Sequence, residues 1–217
     1  MRSTKTYLAL GMMLLLAPCA SAHERVWPGK RLASLWPEAA RFTSKQVNLN
    51  TAQIAHLEEE GFTMGAEDKS PVFYFANGAG TGKSSRILGI ILFVDEYGDN
   101  GRMEISVGLT SAGTVEKLDI WEHSEDKRVA TADFLKQFIG KTHAAAFVAG
   151  QDYKPVEGAR KASSAVALAV KKALSITDVV FGHQEIKKTP KDANSSGKTP
   201  GAAGGEARER KPGGKHE

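Results

Sequence analysis

Ile87-Leu88-Gly89-Ile90-Ile91-Leu92-Phe93-Val94, then Glu96-Tyr97-Gly98-Asp99-Asn100-Gly101, then Met103, Ile105 and Val107 alternating with Arg102, Glu104 and Ser106, is the stretch on which the fold turns. A short continuous apolar run reads as a buried strand, and strict alternation reads as a half-buried one. Between them, Glu96–Gly101 reads as a turn with Asn-Gly at its end. Ser111-Ala112-Gly113 turns the chain again, into a third strand over Thr114–Glu122. The product is a three-stranded antiparallel meander.

Upstream of the meander, Val72-Phe73-Tyr74-Phe75 after Pro71 reads as a further strand. Asn50 or Thr51 can cap a helix through Ala52, Ile54, Ala55, Leu57 and Glu58, which Gly61 stops. Trp27-Pro28-Gly29-Lys30 and Trp36-Pro37 break up the first segment and leave room for short helical turns around Leu32–Leu35. Downstream, a helix is expected from Thr131 or Ala132 to Ile139, with Phe134, Leu135 and Phe138 on one side and Gly140 as its stop. A last long helix is expected from Ser163 to about Ile176. Strands grouped in the middle with helices around them predict an α+β fold, an antiparallel meander with flanking helices. No internal repeat is present.

The two ends differ from the middle. Arg2 and Lys5 precede the apolar run Tyr7–Leu16, and Ala20-Ser21-Ala22 offers a small-x-small cleavage site. This is the pattern of an export signal, with the mature chain beginning at His23. Cys19, the single cysteine, leaves with the signal. A mature chain without thiols excludes disulfides, cysteine-ligated zinc, iron–sulfur clusters and c-type haem attachment. From Lys187 the chain is rich in Lys, Gly, Pro, Ser and Ala, with eight positive and four negative residues. Such a segment buries too little apolar surface to offset its ordering entropy. The expected division is residues 1–22 signal, 23–70 an N-terminal helical segment packing on the domain, 71–182 the domain, and 183–217 a disordered basic tail. The chain's net charge is +4, the tail carries +4 and the signal +2, so residues 23–186 sum to about −2. The basic balance therefore belongs to the ends, which removes most of the case for nucleic-acid binding, since that wants a basic folded face.

Several motifs are read and set aside. Gly78-Ala79-Gly80-Thr81-Gly82-Lys83-Ser84 has three residues, not four, between Gly78 and Gly82-Lys83-Ser84, so it does not form an ATP-binding phosphate loop. A copper site on a mature His23 would need a second histidine, and the sequence fixes none of His56, His123 or His143 near it. No serine sits in a nucleophile elbow, and no carboxylate pair is spaced for acid–base work. Glu122, His123, Glu125 and Asp126 cluster at the end of the third strand, the usual composition of a solvated strand end.

The stretch that carries chemistry is Val156-Glu157-Gly158-Ala159-Arg160-Lys161-Ala162-Ser163-Ser164. A small-residue turn opens into the apolar-striped helix, and free backbone N–H groups at a helix start favour a phosphate. The order of elements adds to this. The strands of Arg102–Glu122, then Glu122-His123-Ser124-Glu125, the Phe-x-x-x-Phe-x-Gly-Lys segment at Phe134–Lys141, the Gly158-Ala159 turn and the Ala165–Leu174 helix together resemble the bacterial FMN-binding domain family. That family includes the periplasmic subunits of sodium-pumping NADH:quinone oxidoreductase and Rnf-type complexes. The resemblance implies an FMN-binding-domain-like fold and a flavin held beside Gly158, Ala159, Arg160, Lys161, Ser163 and His123.

In the family, FMN is commonly esterified to a threonine in a Ser-Gly-Ala-Thr-x-Ser/Thr motif. Here Gly158 and Ala159 match, Glu157 stands at the serine, Arg160 at the threonine and Ala162 at the last hydroxyl position. An arginine cannot form the phosphoester, so the expectation is FMN bound without a covalent link. Arg160 and Lys161 would supply charge-assisted contacts to its phosphate. The resemblance further implies an electron-transfer role beside a membrane-bound or periplasmic redox protein, rather than a self-standing enzyme. The alternative is the same fold without cofactor, acting as an interaction scaffold or small-ligand sensor.

Overall fold

The computed structural model describes residues 27–80 and 86–185. The signal, His23, most of the glycine-rich Gly78–Ser84 stretch and the tail from residue 186 lie outside the described residues. Five strands form one antiparallel sheet in sequence order: β1 (Arg41–Gln46), β2 (Val72–Asn77), β3 (Ile87–Tyr97), β4 (Arg102–Leu109) and β5 (Val115–Glu122). The meander expected from the sequence is β3–β4–β5. Its register runs from Ile90↔Leu109 to Tyr97↔Arg102, and from Leu109↔Val115 to Glu104↔Glu122.

The alternation of β3 and β4 assigns the two faces. Ile90, Leu92 and Val94 with Met103, Ile105, Val107 and Leu109 enter the main core, all at most 3 % exposed. The cover of this face is α4 (Arg160–Glu185), which breaks helical geometry only at Gly182. Ala162, Ala165, Ala169 and Ala173 are small enough to let it lie close on β3 and β4. It begins three residues before the expected start and continues past Ile176, because Val179, Val180 and Phe181 prolong the apolar stripe. Phe181 stands edge-on to Phe73 and Phe75 of β2. α2 (Thr51–Glu59) packs beside it, opened by an Asn50–Gln53 capping box and followed by Gly61 at φ 93°.

The opposite face is covered by α1 (Gly29–Leu35). Leu32, Leu35 and Trp36 form a smaller cluster with Ala76 and Ile91. Trp36 lies in a notch that two glycines make. A Cβ on Gly89 would come within 2.2 Å of its ring, and one on Gly108 within 2.5 Å. These glycines are therefore packing residues, not flexible ones.

Two expectations are corrected. Residues 23–70 contain β1, which pairs with β2 along its whole length from Arg41↔Asn77 to Gln46↔Val72. The first segment is thus part of the sheet and not a helical addition; its polar sequence hides an edge strand with one face in water. The Thr131–Ile139 helix is a single α-turn, α3 (Ala132–Leu135), running into a 3-10 turn at Lys136–Phe138. Phe134, Leu135 and Phe138 are buried as expected, and Gly140 ends the segment at φ 82°.

Candidate functional site

The turn before α4 is built from the residues singled out in the sequence. Gly158 takes φ 79°, which a side chain would resist. Ala159 is buried and its N–H reaches Val156 C=O at 3.1 Å. Ser163 is fully buried, and its hydroxyl donates to Ala159 C=O (2.8 Å) while accepting from Val156 N–H (3.0 Å). That hydroxyl holds the turn together and does not face a ligand. Arg160 and Lys161 are exposed at the first two helical positions, and neither makes an ion pair among the described residues. A phosphate at this place would meet two unpaired cations and the start of a long helix dipole. For FMN the cations fit, the serine does not, and the ester-forming hydroxyl is missing.

His123 follows β5 and accepts a hydrogen bond at Nδ1 from Glu125 N–H (3.2 Å). Its neighbours are not merely a solvated strand end. Glu125 is buried and takes Asn100 N–H at 2.6 Å, closing the β3–β4 turn. Asp126 binds Arg128 through both carboxylate oxygens, and hydrogen bonds from Arg128 hold its carboxyl down at about 2. The same guanidinium donates to Glu157 C=O at 2.9 Å. Arg128 therefore joins the segment after His123 to the turn at Gly158. It links the two parts of the expected flavin site, and sequence reading missed it because its partners are backbone and a near neighbour.

A second feature lies elsewhere. The β2–β3 ladder stops at Tyr74↔Ile91, although β3 stays paired with β4 to Tyr97. Beyond that point the chain before β2 follows β1 instead, with Val47 N–H on Pro71 C=O and Leu49 N–H on Lys69 C=O. A slit of about 620 Å³ opens between the strands. Its walls include Trp27, Tyr74 and Phe93, in edge-to-face contact in series, with Leu92, Val94 and Ile176 deeper in. Its charged side carries Arg31, which spans Glu104 (2.7 Å) and Glu122 (2.9 Å), and Arg102, held by Asp95 (2.6 Å).

Behind the slit, Lys172 of α4 is 4 % exposed and lies between Glu96 (2.5 Å) and Asp68 (3.4 Å). Burial pushes the Glu96 carboxyl up, against the pull of Lys172. The sequence signal was a lysine on the apolar stripe of α4, where an unpaired charge is not tolerated. Ile176, in the slit, is sixteen residues from Arg160, about 24 Å along the helix. The slit and the turn at Gly158 are therefore separate places.

Among the described residues no group of His, Cys, Asp or Glu is placed to hold a metal ion, and no helix is long and apolar enough to cross a membrane. The sequence matches no protein-family profile and no curated protein.

Proposed function

We propose that this is an exported protein with an FMN-binding-domain-like fold that holds FMN without a covalent bond at the start of α4 and passes electrons to a membrane-bound or periplasmic redox protein. The observation that carries this reading is the pair Arg160 and Lys161, exposed and without ion-pair partners among the described residues, where a fixed turn opens α4. Gly158 and Ala159 shape the turn, Ser163 locks it, and Arg128 ties it to the segment that begins at His123. Arg160 and Lys161 bind and orient the phosphate. The bound flavin supplies the electron chemistry, and the protein supplies position and electrostatics.

Titration of the purified protein with FMN, followed by quenching of flavin fluorescence, tests the reading. Saturable binding is expected, weakened about tenfold or more by Arg160→Glu with Lys161→Glu, since each replaces a charge-assisted contact with a repulsion. FMN binding that the double variant leaves unchanged would remove the flavin from this turn. The second reading is the same fold acting through protein contacts without cofactor. It is favoured by the spent Ser163 hydroxyl, and complete failure to take up FMN selects it.

A further inference from the structure

On the charged side of the slit, Arg31 and Arg102 converge on one carboxylate. Arg31 donates to Glu122 Oε1 (2.9 Å) and Arg102 to Glu122 Oε2 (3.4 Å). Each guanidinium has a second, less exposed partner that fixes it: Glu104 for Arg31 (2.7 Å) and Asp95 for Arg102 (2.6 Å). Arg31 also lies over the Trp121 ring at 5.3 Å. The shared carboxylate is the loose member. The Glu122 side chain is 58 % exposed, against 20 % for Glu104 and 29 % for Asp95. An ion pair this exposed contributes little, so Glu122 can swing into water at small cost. The arginines, held by Glu104 and Asp95, keep their places when it does.

We propose that the slit binds a small aromatic carboxylic acid, whose carboxylate takes the place of the Glu122 side chain between Arg31 and Arg102. Each ligand oxygen then receives a guanidinium N–H, the charge-assisted arrangement that Glu122 now fills. The aromatic part goes against Trp27, Tyr74 and Phe93, which meet edge-to-face in series with centroids 5.6 Å apart, a pattern that one more ring extends. Leu92, Val94 and Ile176 add apolar surface deeper in. The volume of about 620 Å³ falls within the range of small-molecule sites, about 300–1,000 Å³. Charge decides for an anion. Once Glu122 has moved, Arg31 and Arg102 balance Glu104 and Asp95, and Lys30, also in the lining, is left in excess. Of the other lining carboxylates, Asp68 is met by Lys172 (3.4 Å) and Glu67 is exposed. A cationic ligand fits less well, because every lining carboxylate except Glu67 already holds a cation.

The inference concerns the slit alone and stands whether or not flavin binds at α4. Titration of the purified, isotopically labelled protein with naphthylacetate, read by NMR shifts, tests it. Saturable shifts are expected at the Tyr74, Phe93 and Arg102 amides and at the Trp27 indole N–H. Naphthylacetamide, which lacks the charge, should bind about tenfold or more weakly. Glu122→Gln removes the competing carboxylate and should tighten binding of the acid about threefold or more. Trp27→Ala should weaken it about threefold or more. Arg102→Gln, made together with Asp95→Asn so that no carboxylate is left without its partner, should shrink the preference for acid over amide. Acid and amide that bind equally well overturn the proposal. So does a Glu122→Gln protein that binds the acid more weakly, tighter binding of naphthylethylammonium than of the acid, or the absence of saturable shifts in the slit up to millimolar acid.

Discussion

Lys172→Met removes the cation from between Glu96 and Asp68 while keeping the length of the side chain. Breaking a buried ion pair costs about 3–5 kcal/mol, because the partner charge stays behind without compensation. The Glu96 and Asp68 side chains keep 13 % and 18 % exposure, which places the cost near the lower end. Burying a thioether in place of an ammonium returns about 1 kcal/mol. The net loss is about 2 kcal/mol, or a fall in Tm of about 4–8 °C for a domain of this size. Adding Glu96→Gln should restore half or more of it. The pH dependence has a definite sign. Burial, first of all, raises the Glu96 carboxyl above its usual 4.5, and Lys172 opposes this. Without Lys172 the carboxyl rises further. An acid raised in the folded state destabilises when ionised and ceases to do so once protonated, so the deficit should shrink as pH falls from 7 toward 4.5. Thermal melts across that range decide it. A single variant as stable as the parent, or a deficit that grows in acid, would show that Lys172 does not compensate these carboxylates.

Gly89→Ala drives a methyl group into Trp36, and about 1–3 kcal/mol of stability should be lost in urea unfolding. The loss should fall when Trp36→Phe makes room. The Asp126 carboxyl should titrate at about 2 by NMR and return toward the ordinary range in Arg128→Ala. Its lowered value contributes stability above the unfolded-state pKa that is lost as pH falls through about 2, and exposure keeps that contribution small. Arg160→Thr, expressed with a flavin transferase, places a hydroxyl where the flavin motif carries its threonine and should yield covalent flavin. Absence of covalent flavin would count against the alignment of Gly158-Ala159 with the flavin motif.

The meander was legible because β3 and β4 carry opposite but unmistakable patterns, continuous apolar and strictly alternating, joined by Asn100-Gly101. The α2 start was legible at Asn50, whose capping box is local. β1 was not, since Arg41–Gln46 is a polar edge strand whose pairing with β2 depends on residues thirty positions away. The helix was expected to end at about Ile176, whereas it runs on to Phe181, which is held by Phe73 and Phe75. Before α4, the turn at Gly158 opening into a helix could be read from the sequence. The turn of Ser163 away from any ligand could not, nor could the reach of Arg128 to Glu157, because both are long-range or backbone contacts. The slit was equally hidden, since it arises where two strands part and not from any motif.

The proposal made above is that FMN is bound at the start of α4 without a covalent link. The absorbance spectrum of the protein purified from the exported fraction, before and after acid denaturation, tests it most directly. A yellow protein with a flavin spectrum is expected, its FMN passing entirely into the acid supernatant. A colourless protein that takes up no added FMN would contradict it, as would flavin that stays with the acid-precipitated chain.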